Sequence, residues 1–136
     1  MVPIDDVAEI ALGLPEVRED RRHGNRTWFV GDKAFAWERP FGKADIKRFG
    51  DQPRPEGPIV AVRVANLEEK DLLLMRKPKG FFTIPHFDGY AGVLIQLKRV
   101  GKRELRDAIV AAWLACAPRG LADEFLELRG PKRSVK

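Results

Sequence analysis

Few residues of this chain could do covalent chemistry, and they are scattered. Nucleophilic catalysis needs a hydroxyl or thiol beside a base. Ser134 is the only serine and stands two residues from the end, Thr27 and Thr83 fall in strand-like runs, and no Gly-x-Ser-x-Gly elbow occurs. Cys116, the single cysteine, sits among apolar residues at helical spacing, where a thiol is expected to behave as a small buried hydrophobe. One cysteine permits neither an intrachain disulfide nor a thiolate zinc cluster.

His23 and His86 are the only histidines. Asp88 lies near the second, and Glu19 and Asp20 near the first, but neither group has metal-ligand spacing, so no metal and no cofactor is expected. Trp37, His86, Asp88 and Tyr90 form a candidate pocket in which a His–Asp pair could serve as a general base. A plain turn around Pro85 explains the same residues. Glycine-rich phosphate loops are absent from the sequence. The carboxylate pairs Asp5-Asp6 and Glu68-Glu69 sit at helix starts, where the helix dipole accounts for them. A binding protein without catalytic residues is therefore expected.

The basic residues are more informative. The formal net charge is +5, which tilts the partner towards anions such as nucleic acid. Arg18, Arg21, Arg22 and Arg26 precede a hairpin, and Lys98, Arg99, Lys102, Arg103 and Arg106 gather around the start of a helix. Cations at a helix start oppose its dipole, so local helix physics does not explain the second cluster. Free N–H groups there could join the cations in holding an anion. A solvated charged face is the plainer alternative. Lys43, Lys47, Arg48 and Arg54 occupy a long loop, and Arg76, Lys77 and Lys79 end a helix, where the dipole favours them. Among the aromatics, Trp28, Phe29 and Phe35 read as core, whereas Phe41, Phe49, Phe87 and Tyr90 lie in loops and are expected to be exposed contacts or pocket lining.

The elements that must position these residues can be read from periodicity. Ile4, Val7, Ile10, Ala11 and Leu14 form a helical stripe, ended by Gly13 in a left-handed conformation and by Pro15. A charged stretch, 16–26, carries no regular signal. The runs 27–30 and 34–37 form a hairpin around Gly31-Asp32-Lys33. The segment 39–58 holds four prolines and three glycines and reads as an irregular loop, with any strand confined to 45–48. Residues 59–64 form a strand. Asn66 and Glu69 then open a helix in a variant capping box, with Leu72, Leu73 and Met75 as its apolar side. Strands at 81–84 and 92–97 flank a turn segment, 85–91. The last long helix spans 102–117, with Leu105, Ala108, Ile109, Ala112, Trp113 and Cys116 buried, and a helical turn or two follows within 121–128. The order predicts an α+β domain over 1–128, with a largely antiparallel sheet and terminal helices over one face. A basic, disordered tail is expected at 129–136.

No segment reaches the apolar length of a membrane span, and Met1 to Asp6 lacks the pattern of a signal peptide. A cytoplasmic monomer is expected.

Taken in order, Leu14-Pro15-Glu16-Val17, His23-Gly24, the run Trp28 to Ala36, the run Phe81 to Tyr90, Val93 to Leu97, and Leu105 with Ala112-Trp113 resemble the MmcQ/YjbR family over residues 4–118. The resemblance implies a frataxin-like (CyaY-like) α+β fold with helices packed on one face of an antiparallel sheet. It also implies a DNA-binding role, and it supplies no catalytic residues. Phosphate contacts from the two basic clusters would then give affinity with little sequence specificity. The alternative is a small-ligand or iron-binding protein of the frataxin-like kind, using Asp5, Asp6 and Glu9 on the first helix.

Overall fold

The computed structural model describes the backbone of residues 2–134; Met1, Val135, Lys136 and the side chains of 129–136 lie outside the described residues, and with them the tail expected there. The element order is α1 (Ile4–Leu12), β1 (Val17–Arg22), β2 (Asn25–Val30), β3 (Lys33–Glu38), α2 (Lys43–Phe49), β4 (Ile59–Arg63), α3 (Leu67–Met75), β5 (Phe81–Phe82), a 3-10 turn (Pro85–Phe87), β6 (Gly92–Gln96), α4 (Lys102–Cys116) and α5 (Arg119–Ser134). The strands form one sheet in the order β1-β2-β3-β4-β6-β5, and every neighbouring pair is antiparallel. The α+β class and the antiparallel sheet expected from the sequence are what the chain adopts.

The main core lies between the sheet and the helices. Alternation sends Val60 and Val62 of β4, Val93 and Ile95 of β6, and Trp28 and Val30 of β2 to this side. They meet Val7, Ile10 and Ala11 of α1 and Leu105, Ile109, Ala112 and Trp113 of α4. Both helical stripes are those the spacing predicts. A register shift gives β3 one extra residue: Trp28 pairs with Ala36 and Phe29 with Ala34, leaving Phe35 between them. The bulge lets Phe35 and Ala36 both join the helix-side core.

The other face is covered at one end only. Ile59, Ala61 and Leu94 point there and are packed by Ile84, Phe87, Trp37, Phe41, Phe49 and Phe82. Phe41, Phe49 and Phe87 are thus a second core, not the exposed loop aromatics anticipated. Ring contacts of 5.2 Å between Phe41 and Phe49 and 6.2 Å between Phe41 and Phe82 bind it together.

Four local readings change. The segment 45–48 belongs to helix α2 rather than to a strand. Pro40 and Pro53 leave room for two turns, and the Asp45 carboxylate reaches back to accept the Gly42 N–H (2.9 Å) at the N-cap. The charged stretch 17–22 is edge strand β1, paired along its length with β2 through a turn at His23-Gly24, both with positive φ (54° and 79°). That is the pattern of a tight type I′ hairpin turn. Charged side chains on an exposed edge discourage pairing with another chain, which is why composition hides such a strand. Gly13 is right-handed (φ −76°), and the left-handed position falls three residues later, at Glu16 (φ 56°). On α3 the apolar side is not the one anticipated: Leu72 and Met75 are exposed, Leu73 and Leu74 pack, and the buried residue is Lys70. The expected cap is present, with Asn66 Oδ1 accepting the Glu69 N–H at 2.8 Å. After α4, α5 is longer than a turn or two, and Phe125 stacks on Trp113 at 4.9 Å.

Candidate functional site

Strand alternation divides the first basic cluster. Glu19, Arg21, Arg26 and Trp28 fall on the helix side of β1 and β2, while Arg18, Asp20, Arg22 and Phe29 fall on the outer side. On the helix side Arg26 is committed. Its Nε donates to Glu19 Oε2 (2.8 Å), Nη2 to Glu19 Oε1 (3.2 Å) and Nη1 to Asp5 Oδ1 on α1 (2.9 Å). Trp28 Nε1 donates to Glu19 Oε1 (3.0 Å). The bond from Arg26, with the lesser help of Trp28, holds the Glu19 carboxyl below its usual range against partial burial, and the same contacts hold the Arg26 guanidinium firmly charged. Arg26 is a structural clamp joining α1, β1 and β2. Arg21 Nη1 donates to Gly24 O (2.8 Å) and so braces the turn.

The outer side is built differently. The Arg18 guanidinium lies 4.3 Å from the centre of the Phe29 ring and that of Arg22 lies 5.7 Å from it. Both side chains shield the ring while their charged ends face solvent. The Arg18–Asp20 pair is long (3.7 Å) and exposed on both partners, so it neutralises little.

Beyond Arg22 the sheet ends in a groove of about 480 Å³. The turn supplies Arg22, His23 and Asn25, β2 supplies Thr27, β3 supplies Trp37 and Glu38, and the segments that follow supply Arg39 and His86. Both histidines of the chain therefore line one groove. Trp37 and His86 of the anticipated pocket are here, whereas Asp88 and Tyr90 are not among its lining. Tyr90 packs edge-on against Phe87 (5.5 Å) under the Arg63 guanidinium (5.4 Å).

Two buried groups fix the groove's far wall. Arg39 Nη1 donates to Asp45 Oδ2 (2.9 Å) and to Pro40 O (2.7 Å). Burial pushes the Asp45 carboxyl up, but the Gly42 N–H and the Arg39 bond and charge outweigh it and leave the group below its usual range, with a smaller contribution from His86. Lys70 Nζ donates to Phe87 O (2.6 Å) and Tyr90 O (2.9 Å), tying α3 to the segment that carries His86. Burial lowers its ammonium pKa, and the Asp88 and Asp71 charges oppose that shift. Neither Arg39 nor Lys70 stood out in the sequence. The spacing Gly42-x-x-Asp45 was the one signal that could have flagged the first.

Of the second basic cluster, Lys102, Arg103 and Arg106 stand on α4, while Lys98 and Arg99 lie in the turn after β6. Lys102 Nζ is 3.6 Å from Asp6 of α1, and Lys98 Nζ is 3.5 Å from Glu56. Glu104 folds back against Gly101, into the space a side chain there would fill, so the start of α4 already has a carboxylate beside it. The α4 residues lie on the helix side of the sheet, opposite Arg18 and Arg22. Two of the α1 carboxylates considered for iron, Asp5 and Asp6, are in ion pairs, and among the described residues no group of three or more His, Cys, Asp or Glu could hold a metal. Cys116 is buried, which raises its thiol pKa. No helix of the described residues is long and apolar enough to cross a membrane.

A sheet of this order, with its helices and end groove, is the form taken here by a protein of the YjbR family: the YjbR family model matches residues 12–115, and the chain belongs to that family. Its relatives include "Uncharacterized protein Rv2570" of Mycobacterium tuberculosis (strain ATCC 25618 / H37Rv) and "Uncharacterized protein Mb2600" of Mycobacterium bovis. Each is 44% identical over 133 residues, covering 96% of this chain and 100% of the relative. No solved structure matches the chain.

Proposed function

We propose that the protein is a non-enzymatic nucleic-acid-binding module, cytoplasmic and monomeric, that takes duplex DNA by its phosphates. The observation that carries this reading is the split of the first basic cluster. Arg26 and Arg21 serve the fold, while Arg18 and Arg22 project from the outer side of an edge hairpin, where the one carboxylate contact is the long, exposed Arg18–Asp20 pair. Exposed guanidinium groups on the outer sheet face suit repeated phosphate contact, which fixes position without reading sequence. Arg39 and the two imidazoles continue the same surface into the groove.

Few cations are involved, so binding should be weak and salt-sensitive. Neutralising two to four phosphates gives a slope of about −2 to −4 in log K against log salt. Titrating labelled duplex DNA at about 50 and 200 mM salt measures this slope. Absence of binding at the lower salt, or binding indifferent to salt, would rule the reading out. The iron-binding alternative predicts saturable heat on titration with ferrous iron, and the ion-paired state of Asp5 and Asp6 speaks against it.

A further inference from the structure

The groove at the end of the sheet has a composition that simple phosphate contact does not need. It places one indole, Trp37, among two guanidinium groups and two imidazoles, with the Asn25 amide and the Glu38 carboxylate at its rim. At about 480 Å³ it falls in the size range of small-ligand sites. Flat aromatic rings beside cations suit a base with its phosphate, because stacking is indifferent to base identity while the cations hold the backbone. Arg39 is preset for such a role. Its Nη1 is held by Asp45 and Pro40, which fixes the plane of the guanidinium and leaves its other N–H groups to serve a ligand. Glu38 is fixed too, since its Oε1 accepts the Arg26 backbone N–H (2.7 Å). A carboxylate repels phosphate at its own end of the groove and accepts from a sugar hydroxyl or a base amino group, which gives the site a direction.

We infer that this groove is a subsite for a single unstacked nucleotide, its base against Trp37 and its phosphate held by Arg22, Arg39 and the imidazoles of His23 and His86. The inference rests on the nucleic-acid reading above and adds to it a preference for single strands, overhangs or free nucleotides over closed duplex.

The chain reports on this groove by itself. Of its three tryptophans, Trp28 and Trp113 are fully buried in the main core, and Trp37 is the one that is only partly buried and lines the groove. The test is a titration of the full chain with adenosine monophosphate, inorganic phosphate, a short single-stranded oligonucleotide and a blunt duplex, following tryptophan emission and, for the labelled nucleic acids, anisotropy. Adenosine monophosphate and the single strand should quench emission saturably, and phosphate should compete for the site without quenching. Trp37→Phe should abolish the quench while nucleotide still binds, and Arg22→Ala, at an exposed position of the edge strand, should weaken nucleotide binding roughly tenfold, the loss of about one charge-assisted contact.

Absence of quenching, or quenching that survives Trp37→Phe, would overturn the subsite. Should Trp37→Phe fail to fold, an Arg22→Ala chain that binds nucleotide as the parent does would overturn it equally. Salt-sensitive duplex binding with no response to adenosine monophosphate and no preference for the single strand would remove the subsite and leave the phosphate surface standing. A quench by adenosine monophosphate without affinity for either nucleic acid would uphold the groove and remove the nucleic-acid reading.

Discussion

At the scale of residues, two carboxylates each tie separate segments together, one on each side of the sheet. Glu19 gathers Arg26 and the Trp28 indole, and Asp45 gathers Arg39 and the Gly42 N–H. Both are lowered below their usual range. A carboxylate whose folded pKa is depressed contributes stability above its unfolded value, and that contribution is lost as pH falls through the carboxylate range towards the folded one. The urea midpoint should therefore drop as the pH is taken from neutral to about 3. Asp45→Asn and Glu19→Gln should each lower stability at neutral pH and flatten this dependence. For the buried Asp45 the neutral-pH loss should be about 2 kcal/mol, since its charged hydrogen bonds weaken while Arg39 stays half-buried. Variants with the same pH slope as the parent would show that these two pairs do not carry the acid sensitivity. Neither ion pair was legible in the sequence: Glu19 was weighed there only as a neighbour of His23 and Asp45 only as part of a possible strand, and their arginine partners lie outside the elements that carry them.

At the scale of elements, α3 works as an anchor rather than as a core helix. Its one buried residue is Lys70, whose ammonium bonds two carbonyls of the turn segment and so positions His86. Lys70→Met keeps the apolar stem and removes both bonds. It should cost about 1–3 kcal/mol for the carbonyls left unpaired. Hydrogen exchange measured by mass spectrometry should then be faster across 85–90 while the α4 amides are unchanged. Equal exchange in both proteins would mean that packing of Phe87 alone fixes the segment. A run of four apolar residues at 72–75 promised a buried stripe, yet a stripe is buried only where a neighbouring layer meets it. The cap at Asn66 was legible because capping involves residues three apart in the chain.

At the scale of the whole molecule, the α4 part of the second basic cluster and the Arg18–Arg22 pair lie on opposite faces of the sheet. The outer cluster adjoins the groove, and the α4 cluster adjoins the carboxylates Asp6 and Glu104. Replacing Arg18 and Arg22 together by alanine should therefore reduce DNA affinity more than replacing Lys102 and Arg106, and should lower the salt slope by about 2. Equal losses in titrations of the two double variants would return the α4 cluster to the binding surface.

What the sequence determined by itself is the class of the fold and its most regular pieces: α1, the β2–β3 hairpin, β4, β6 and α4. Their signals are local, a period of two or of 3.6 in apolar side chains, and they stand wherever a core layer meets them. The tertiary structure alone decided which of four neighbouring arginines serve the fold and which face solvent. In a strand, one step along the chain moves a side chain to the other face of the sheet, and only the arrival of α1 with Asp5 on one face turned Arg26 into a clamp. It likewise decided that His23 and His86 line one groove with Trp37, because a tight hairpin turn and a lysine-tethered segment bring them to the same end of the sheet.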